Sequence, residues 1–215
     1  MNDLLQQLND QLYLLRQALD LLPGYLYAKD MNGYYIFYNK NYIHKLKEQS
    51  LIAEGDQVIG KSDYDLFDVA TAKQFRDNDL KVIKEKSTFQ DEEIIIMKPS
   101  TKRRYLSTKK PLYDQNNQIA GLIGYSIEFT DIDIGMTSIC LSQREIESLA
   151  LLYFGHTIKQ IAKKLKLSPC TIEDYINNVK LKFKTDNKVD IISIIRKNNL
   201  DQVMQYYLKR INDSD

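Results

Sequence analysis

The sequence predicts two domains of different class: an α+β domain with a five-stranded antiparallel sheet and helices on one face, then an all-α domain. Three observations lead to this prediction. Leucines repeat every three or four residues up to residue 22, strand and helix patterns alternate from 23 to 132, and only helical patterns follow residue 141. The order strand, strand, helices, strand, strand, strand is typical of a single sheet covered on one side.

Charge is distributed unevenly along the chain. The 215 residues are 43% hydrophobic and 27% charged, with a formal net charge of +1, which is ordinary for a globular protein. Residues 141–200 hold 11 Lys and Arg against 6 Asp and Glu, a balance of +5, whereas the remainder holds 19 against 23, a balance of −4. The C-terminal part is therefore a basic module next to a mildly acidic one.

The sequence has no pattern that indicates an enzyme, a metal site or export. Cys140 and Cys170 are far from any metal-ligand spacing, so we expect free thiols in a reducing compartment. The two histidines complete no catalytic set, and there is no phosphate-binding loop. The N-terminus lacks the basic region of a signal peptide, and the apolar runs are too short to span a bilayer. We expect a cytoplasmic, non-enzymatic protein without an evident cofactor.

Residues 1–22 are predicted to form an amphipathic helix. Its leucines are spaced alternately by three and four residues, as at the a and d positions of a heptad: Leu5, Leu8, Leu12, Leu15, Leu19 and Leu22. Pro23 and Gly24 end the pattern. Two interpretations are open. The helix lies on its own domain, or it forms a parallel coiled coil in which Leu5 to Leu19 pair two chains.

Residues 23–132 alternate between strand and helix patterns. "YLYAKDMNGYYIFYN" contains two aromatic, strand-prone runs joined by Asp-Met-Asn-Gly, which favours a tight hairpin turn. "NYIHKLKEQ" is predicted to form a short helix and "ATAKQFRDNDLKVIKEKS" a longer amphipathic helix. Three strands follow, in "TFQDEEIIIMK", "RRYLSTKKPLYD" and "IAGLIGYSIEFTDI", and the turn "DQNNQ" joins the last two.

Three segments of this domain resemble the PAS family: "YAKDMNGYYIFYN", "VIGKSDYDLF" and "STKKPLYDQNNQIAGLIGYSIEFTDI". The last is the most specific, because a strand, a proline, a polar turn, Gly-Leu-Ile-Gly and a closing Thr-Asp-Ile follow one another in the order in which many PAS domains close. The resemblance implies the PAS fold. It also implies a sensor of a small molecule or of redox state, or a dimerisation module.

Tyrosines are frequent in this PAS-like segment. Four are candidates to line a ligand cavity, namely Tyr27, Tyr42, Tyr105 and Tyr125. Tyrosines in a small sheet domain also serve as core and rim residues, so both interpretations stay open. No flavin-adduct cysteine motif is visible, and the long helix on which a haem-bound PAS domain would place its histidine has none. An unidentified small-molecule ligand therefore stays open, and no metal is predicted.

A linker at 133–140 is predicted to lead into an all-helical domain at 141–215, in which the helix starts are marked by capping residues. The signals are two capping boxes and one Ser-Pro start: Ser142 with Glu145, Thr157 with Gln160, and Ser168 before Pro169. "VDIISIIRKNN" and "DQVMQYYLKRI" add a fourth and a fifth helix.

The segment "LSQREIESLALLYFGHTIKQIAKKLKLSPCTIEDYINNVKLKF" is similar to the LuxR-type, or GerE-type, helix-turn-helix. That family opens with Leu-Thr/Ser-x-Arg-Glu, here Leu141 to Glu145, and its turn and second helix begin Leu-Ser-Pro-x-Thr-Val/Ile-Glu, here Leu167 to Glu173. The resemblance implies a bacterial transcription regulator whose third C-terminal helix enters the major groove of DNA. Tyr175 stands where many members have His, and Asn177 where a basic residue often reaches a base, so the family does not give the DNA sequence preference.

A projection at about 100° per residue separates two faces of this third helix. One is an apolar stripe expected to pack on the domain, with Ile172, Ile176, Val179 and Phe183. The opposite face carries the candidate base-reading residues, Glu173, Asp174, Asn177, Asn178 and Leu181. A carboxylate there can accept a hydrogen bond from the amino group of cytosine, while Leu181 contacts a thymine methyl group or packs under a neighbour. The candidate phosphate contacts are Thr171, Lys159, Lys163, Lys180, Lys182 and Lys184.

The two resemblances together predict a one-component, sequence-specific transcription regulator. The PAS domain would sense a signal or dimerise, and the LuxR-type domain would bind double-stranded DNA as a homodimer, with Val189 and Ile192 as further pairing residues and RNA polymerase as a partner. Two alternatives are open, a sigma-like polymerase-associated factor and a PAS-mediated interaction adaptor. DNA binding that requires polymerase would favour the first. If neither salt nor the substitutions Lys180→Glu and Asn177→Ala changed the behaviour of the protein, the adaptor would be favoured.

Overall fold

The computed structural model describes residues 2–53, 57–97, 101–129, 132–133 and 138–213. The chain divides into two compact units, Met1–Glu128 and Phe129–Asp215. The described part of the first unit holds the main sheet, and that of the second is largely helical. None of the described helices is both long and apolar enough to cross a membrane.

The described part of the first unit contains one sheet and four helices. In chain order these are α1 (Asn2–Asp20), β1 (Tyr25–Asp30), β2 (Tyr35–Tyr38), α2 (Lys40–Glu48), α3 (Asp63–Leu66), α4 (Val69–Glu85), β3 (Phe89–Met97), β4 (Thr101–Tyr113) and β5 (Ile119–Glu128). The α+β class is confirmed. Helix α3 was not predicted, because four residues are too few to show a helical period.

The sheet is antiparallel at every pairing, and its strand order is β2-β1-β5-β4-β3. The predicted hairpin turn lies between β1 and β2. Gly33 there has φ +93°, and the Asp30 carboxylate accepts hydrogen bonds from the backbone N–H groups of Asn32 and Tyr34 at 3.0 and 2.8 Å. Asp114 binds Asn116 and Gln118 in the same way between β4 and β5.

One face of the sheet forms the core of the first unit with α2, α3 and α4. Side chains alternate along each strand, so Tyr27 and Lys29 of β1 share the covered face. The apolar part of this core includes Tyr27, Tyr35, Tyr42, Leu46, Val58, Leu66, Val82 and Leu122. Because the aromatic rings are concentrated near β1 and α2, this end of the sheet holds the wide side chains that shape the cavity described below.

The same face also buries an ion cluster. Lys29 and Lys109, on β1 and β4, both donate to the Asp79 carboxylate of α4 at 2.8 Å, and Lys29 also pairs with Asp63 of α3. Burial raises the pKa of the Asp79 carboxyl, but the two ammonium groups outweigh burial and hold this pKa below its ordinary value. Glu93 completes the cluster, 3.2 Å from the Lys109 ammonium. These charges tie α3 and α4 to the sheet, and the sequence did not predict them.

The C-terminal end of helix α1 is attached to the sheet, while its leucine face is exposed. The Arg16 guanidinium lies 4.9 Å from the centre of the Phe37 ring, and the Asp20 carboxylate accepts a hydrogen bond from the Lys40 backbone at 2.6 Å. Leu12 and Leu15 are exposed, Leu19 is half-buried, and the side chains of Leu5 and Leu8 lie outside the described residues. The described leucines do not cover the domain, and pairing with a second chain stays a prediction.

The described part of the second unit contains five helices and a short strand pair. Strands β6 (Ile132–Asp133) and β7 (Ser138–Ile139) pair with each other, and the helices are α5 (Gln143–Tyr153), α6 (Ile158–Leu165), α7 (Pro169–Phe183), α8 (Lys188–Lys197) and α9 (Asp201–Asn212). The core lies between α5, α6, α7 and α9, where Ile146, Leu149, Leu151, Ile161, Ile172, Val179 and Tyr207 are fully buried.

The predicted helix starts of the second unit are present. Ser142 and Glu145 form a reciprocal capping box at α5, as do Thr157 and Gln160 at α6. The Ser168 hydroxyl caps α7 by accepting from the backbone of Thr171, and a proline occupies the first helical position. The helix-turn-helix is thus set by its local sequence.

Candidate nucleic-acid interface and sensor cavity

Helices α6 and α7 form the helix-turn-helix of the second unit. The turn ends α6 at Lys166, whose backbone is left-handed, and α7 begins at Pro169 after the Ser168 cap. The apolar stripe of α7 packs inward as predicted, since Ile172, Ile176, Val179 and Phe183 are all buried. Because one side of α7 is fixed to α5 and α6, its opposite side must face outward.

The predicted base-reading residues lie together on this outward side. All five are exposed, and Leu181 has 75% of its surface accessible. Within the described structure no hydrogen bond or ion pair engages the side chains of Glu173, Asp174, Asn177 and Asn178, whereas other acidic residues of the unit, such as Glu147, are paired. The arrangement presents two free carboxylates and two free carboxamides to an incoming molecule.

Three of the predicted phosphate donors are exposed. Lys159 and Lys163 are on α6, and Lys184 ends α7 in a left-handed conformation. Lys180 is half-buried in the last turn of α7. The Thr171 hydroxyl is 2.8 Å from the Ser168 hydroxyl, so it also belongs to the α7 cap.

Lys182 is engaged by partners within the second unit. Its ammonium lies 2.6 Å from the Glu145 carboxylate and donates to the Cys140 carbonyl at 3.1 Å. Burial raises the pKa of the Glu145 carboxyl, but Lys182 and the donors of Ser142 outweigh burial and lower it overall. The expectation that Lys182 contacts phosphate did not include this ion pair. The partners are 37 positions apart in the sequence, so no local pattern indicates the pair.

Val189 and Ile192, the predicted pairing residues of α8, have different surroundings. Val189 is exposed, whereas Ile192 is half-buried beside the core positions Ile191 and Ile195. The outward surface of α8 is therefore apolar only near its start, and pairing through it stays a prediction.

The first unit contains a cavity between the sheet and the helices α2 and α4. Its volume is about 50 Å³, and it is partly open to solvent. Three of the four predicted tyrosines, Tyr27, Tyr42 and Tyr105, line it. The other lining residues are Tyr25, Tyr35, Lys45, Leu46, Gln49, Phe67, Phe75, Glu93, Ile95, Ser107 and Ser126. Strand parity is the signal that could have found some of them, because Tyr25 shares the face of Tyr27.

Tyr125 does not line the cavity, which corrects the prediction for this residue. It lies next to Ser126 on β5, and neighbouring side chains on a strand point to opposite faces. Since Ser126 faces the cavity, Tyr125 must point away from it. The Tyr125 ring lies over Gly24, where a Cβ atom would stand only 2.4 Å from the ring.

Several polar groups of the cavity already have hydrogen-bond partners. The Tyr35 hydroxyl donates to Asp63 at 2.7 Å and lies 2.7 Å from the Tyr42 hydroxyl, so Tyr42 donates to Tyr35. Burial raises the pKa of both phenols, so they stay protonated at neutral pH. The Ser107 and Ser126 hydroxyls lie 2.9 Å apart. A guest would meet seven aromatic rings and hydroxyl groups, together with the polar side chains of Lys45, Gln49 and Glu93.

Two sequence profiles match the chain. The profile described as "PAS fold" matches residues 19–132, and the profile described as "Bacterial regulatory proteins, luxR family" matches residues 140–195. The comparison with curated proteins found no match.

Solved structures that resemble the chain include two of VqmA and one PAS domain. A Vibrio cholerae VqmA–ligand–DNA complex is 25% identical, with 86% of this chain and 84% of that chain covered and a TM-score of 0.47. A phage VqmA–DPO complex is 24% identical, with 88% and 89% covered and a TM-score of 0.44. The PAS domain of Bordetella pertussis BvgS is 23% identical, with 57% and 88% covered and a TM-score of 0.46.

Proposed function

The chain belongs to the PAS-fold proteins and carries the DNA-binding domain of the luxR family of bacterial regulatory proteins, and from this premise we propose that it regulates transcription by binding specific duplex DNA through α7. One observation carries the proposal. The polar side of α7 is exposed and unpaired, directly opposite a fully packed apolar stripe. A helix held in this way can enter the major groove without any change in the core.

The exposed lysines supply the affinity in this proposal. Phosphate contacts contribute most of the binding free energy to duplex DNA without reading sequence. Lys159 and Lys163 on α6 and Lys184 after α7 are exposed and are the proposed phosphate contacts. The reading face then selects the site, and the lysines fix its register.

The cavity of the first unit supplies the input in this proposal. Its mainly aromatic lining and its position between sheet and helices are typical of a small-molecule site. Pairing of two chains through the exposed leucines of α1, with Val189 of α8 as a further contact, would set the spacing of two recognition helices on a two-fold operator. Contact with RNA polymerase belongs to the same proposal.

A salt titration tests the proposed DNA binding. The full chain is titrated, without polymerase, into a duplex selected from a random pool and into an unrelated duplex at several salt concentrations. We expect preference for the selected duplex and a slope of log K against log salt that becomes about 0.9 less negative in Lys163→Met. The matched control is Lys209→Met, an exposed lysine near the C-terminal end of α9.

Two outcomes would contradict the proposal. Equal affinity for both duplexes at every salt concentration would leave α7 without a reading function. A strict requirement for polymerase before any duplex is bound would instead favour the sigma-like alternative.

A further inference from the structure

The reading face of α7 begins with acceptors and contains no early cation. Helix-turn-helix proteins contact base edges mainly with the N-terminal part of the second helix. In α7 the exposed charged and amide side chains of that part are Glu173, Asp174, Asn177 and Asn178, which follow the exposed Pro169 and Cys170. The first lysine of the helix is Lys180, in its last turn. The usual reader of guanine, an Arg or Lys that donates to O6 and N7, is therefore missing where the helix would enter the groove.

The two carboxylates are not neutralised by the rest of the unit. Within the described structure neither Glu173 nor Asp174 forms an ion pair, whereas Glu145 of the same unit pairs with Lys182 at 2.6 Å. Two free carboxylates inserted between phosphates are repelled unless each meets a hydrogen-bond donor.

The major groove offers such donors only on two bases. Cytosine presents its N4 amino group and adenine its N6 amino group, and both guanine and thymine present acceptors at the corresponding position. A carboxylate opposite guanine O6 or thymine O4 would face another acceptor. Asn177 and Asn178 can bind adenine in a bidentate manner because a carboxamide both donates and accepts.

We propose that this chain recognises a half-site by the amino groups that its bases present in the major groove. Cytosine then lies opposite Glu173 or Asp174, and adenine lies opposite Asn177 or Asn178. The inference rests on the proposed DNA binding through α7 and adds the base chemistry to it. The acids then act mainly by rejecting wrong bases. Affinity comes from the exposed lysines around the helix.

Selection from a randomised duplex pool tests the inference, with the full-length wild type compared with Glu173→Gln and Asp174→Asn. We expect cytosine to be enriched on the strand contacted by α7 in each half-site. In at least one variant the preference should move from cytosine toward adenine by about tenfold, because a carboxamide pairs with adenine N6 and N7. Both side chains are exposed, so the variants should keep the wild-type unfolding transition.

Lys163→Met is the matched control, since it should weaken binding to all duplexes while the selected sequence stays the same. If wild type binds selectively, yet cytosine is not enriched or both carboxamide variants select the wild-type sequence, the amino-group inference is overturned and DNA binding stands. If no duplex is preferred over another, the proposed function itself fails. These results are distinguishable in one selection series.

Discussion

The sequence predicted that Lys182 contacts phosphate, whereas its ion pair with Glu145 predicts that it stabilises the second unit. The variants are Lys182→Met, which keeps the aliphatic stem, Glu145→Gln, and the double variant. The pair lies 2.6 Å apart, with the Lys182 side chain 37% exposed and the Glu145 side chain 6% exposed. Since an exposed pair contributes about 0.2–1 kcal/mol and loss of one partner of a buried pair costs about 3–5 kcal/mol, a half-exposed pair falls between these limits.

We expect Lys182→Met to lower the free energy of unfolding by about 1–2 kcal/mol. The loss stays modest because the Ser142 backbone still donates to Glu145 at 2.7 Å. In the double variant the Glu145 carboxylate is absent, so the loss should be smaller than the sum of the single losses by about 1 kcal/mol. The salt slope of DNA binding should stay at the wild-type value, because the ammonium is engaged within the unit.

Urea denaturation of the three variants gives the coupling, and DNA titrations at several salt concentrations give the slope. Lys163→Met is the comparison, because its exposed ammonium should change the slope and leave unfolding unaltered. Two results together would refute this prediction: losses of unfolding free energy that add in the double variant, and a salt slope about 0.9 less negative in Lys182→Met. Lys182 would then be a phosphate contact, as the sequence predicted.

Two further predictions concern the first unit. The pKa of Asp79 is held below its ordinary value by Lys109 and Lys29, so the stability it contributes is complete above the unfolded-state pKa of about 3.9 and is lost as pH falls through the lower folded value. Urea titrations of wild type between pH 6 and pH 3 should show this loss, and Asp79→Asn should be less stable at pH 6 with a flatter pH profile. Replacing the exposed Leu12 and Leu15 together by Asp should convert a dimer to a monomer in sedimentation equilibrium with little change in unfolding. An unaltered dimer would exclude α1 as the pairing element.

The features that the sequence predicted well are those set by short-range patterns. The capping boxes at Ser142 and Thr157 and the two faces of α7 depend on residues three or four positions apart, and the structure has them where the pattern indicated. The hairpin at Gly33 is equally local. Features of this kind need no knowledge of the rest of the fold.

The features that were missed depend on strand parity or on distant partners. Tyr125 was grouped with Tyr27 by residue type, although its neighbour Ser126 occupies the cavity face. From the sequence alone, Lys29 and Lys109 look like solvent-exposed strand residues. In the structure they bind carboxylates of α3 and α4 that are 30 or more positions away in the sequence. Strand parity could have corrected the prediction for Tyr125, because the alternation of side chains follows from the strand itself. The ion pairs could not be found, because no local pattern records which helix covers which strand.

Cys170 allows the most direct test of the claim that α7 enters the DNA groove. It is an exposed thiol at the second position of α7, next to the reading face. In a Cys140→Ser background the rate of Cys170 alkylation is measured with no DNA, with the selected duplex and with an unrelated duplex at the same salt. We expect the selected duplex to slow alkylation in proportion to its occupancy. An unchanged rate in a chain saturated with the selected duplex would contradict it.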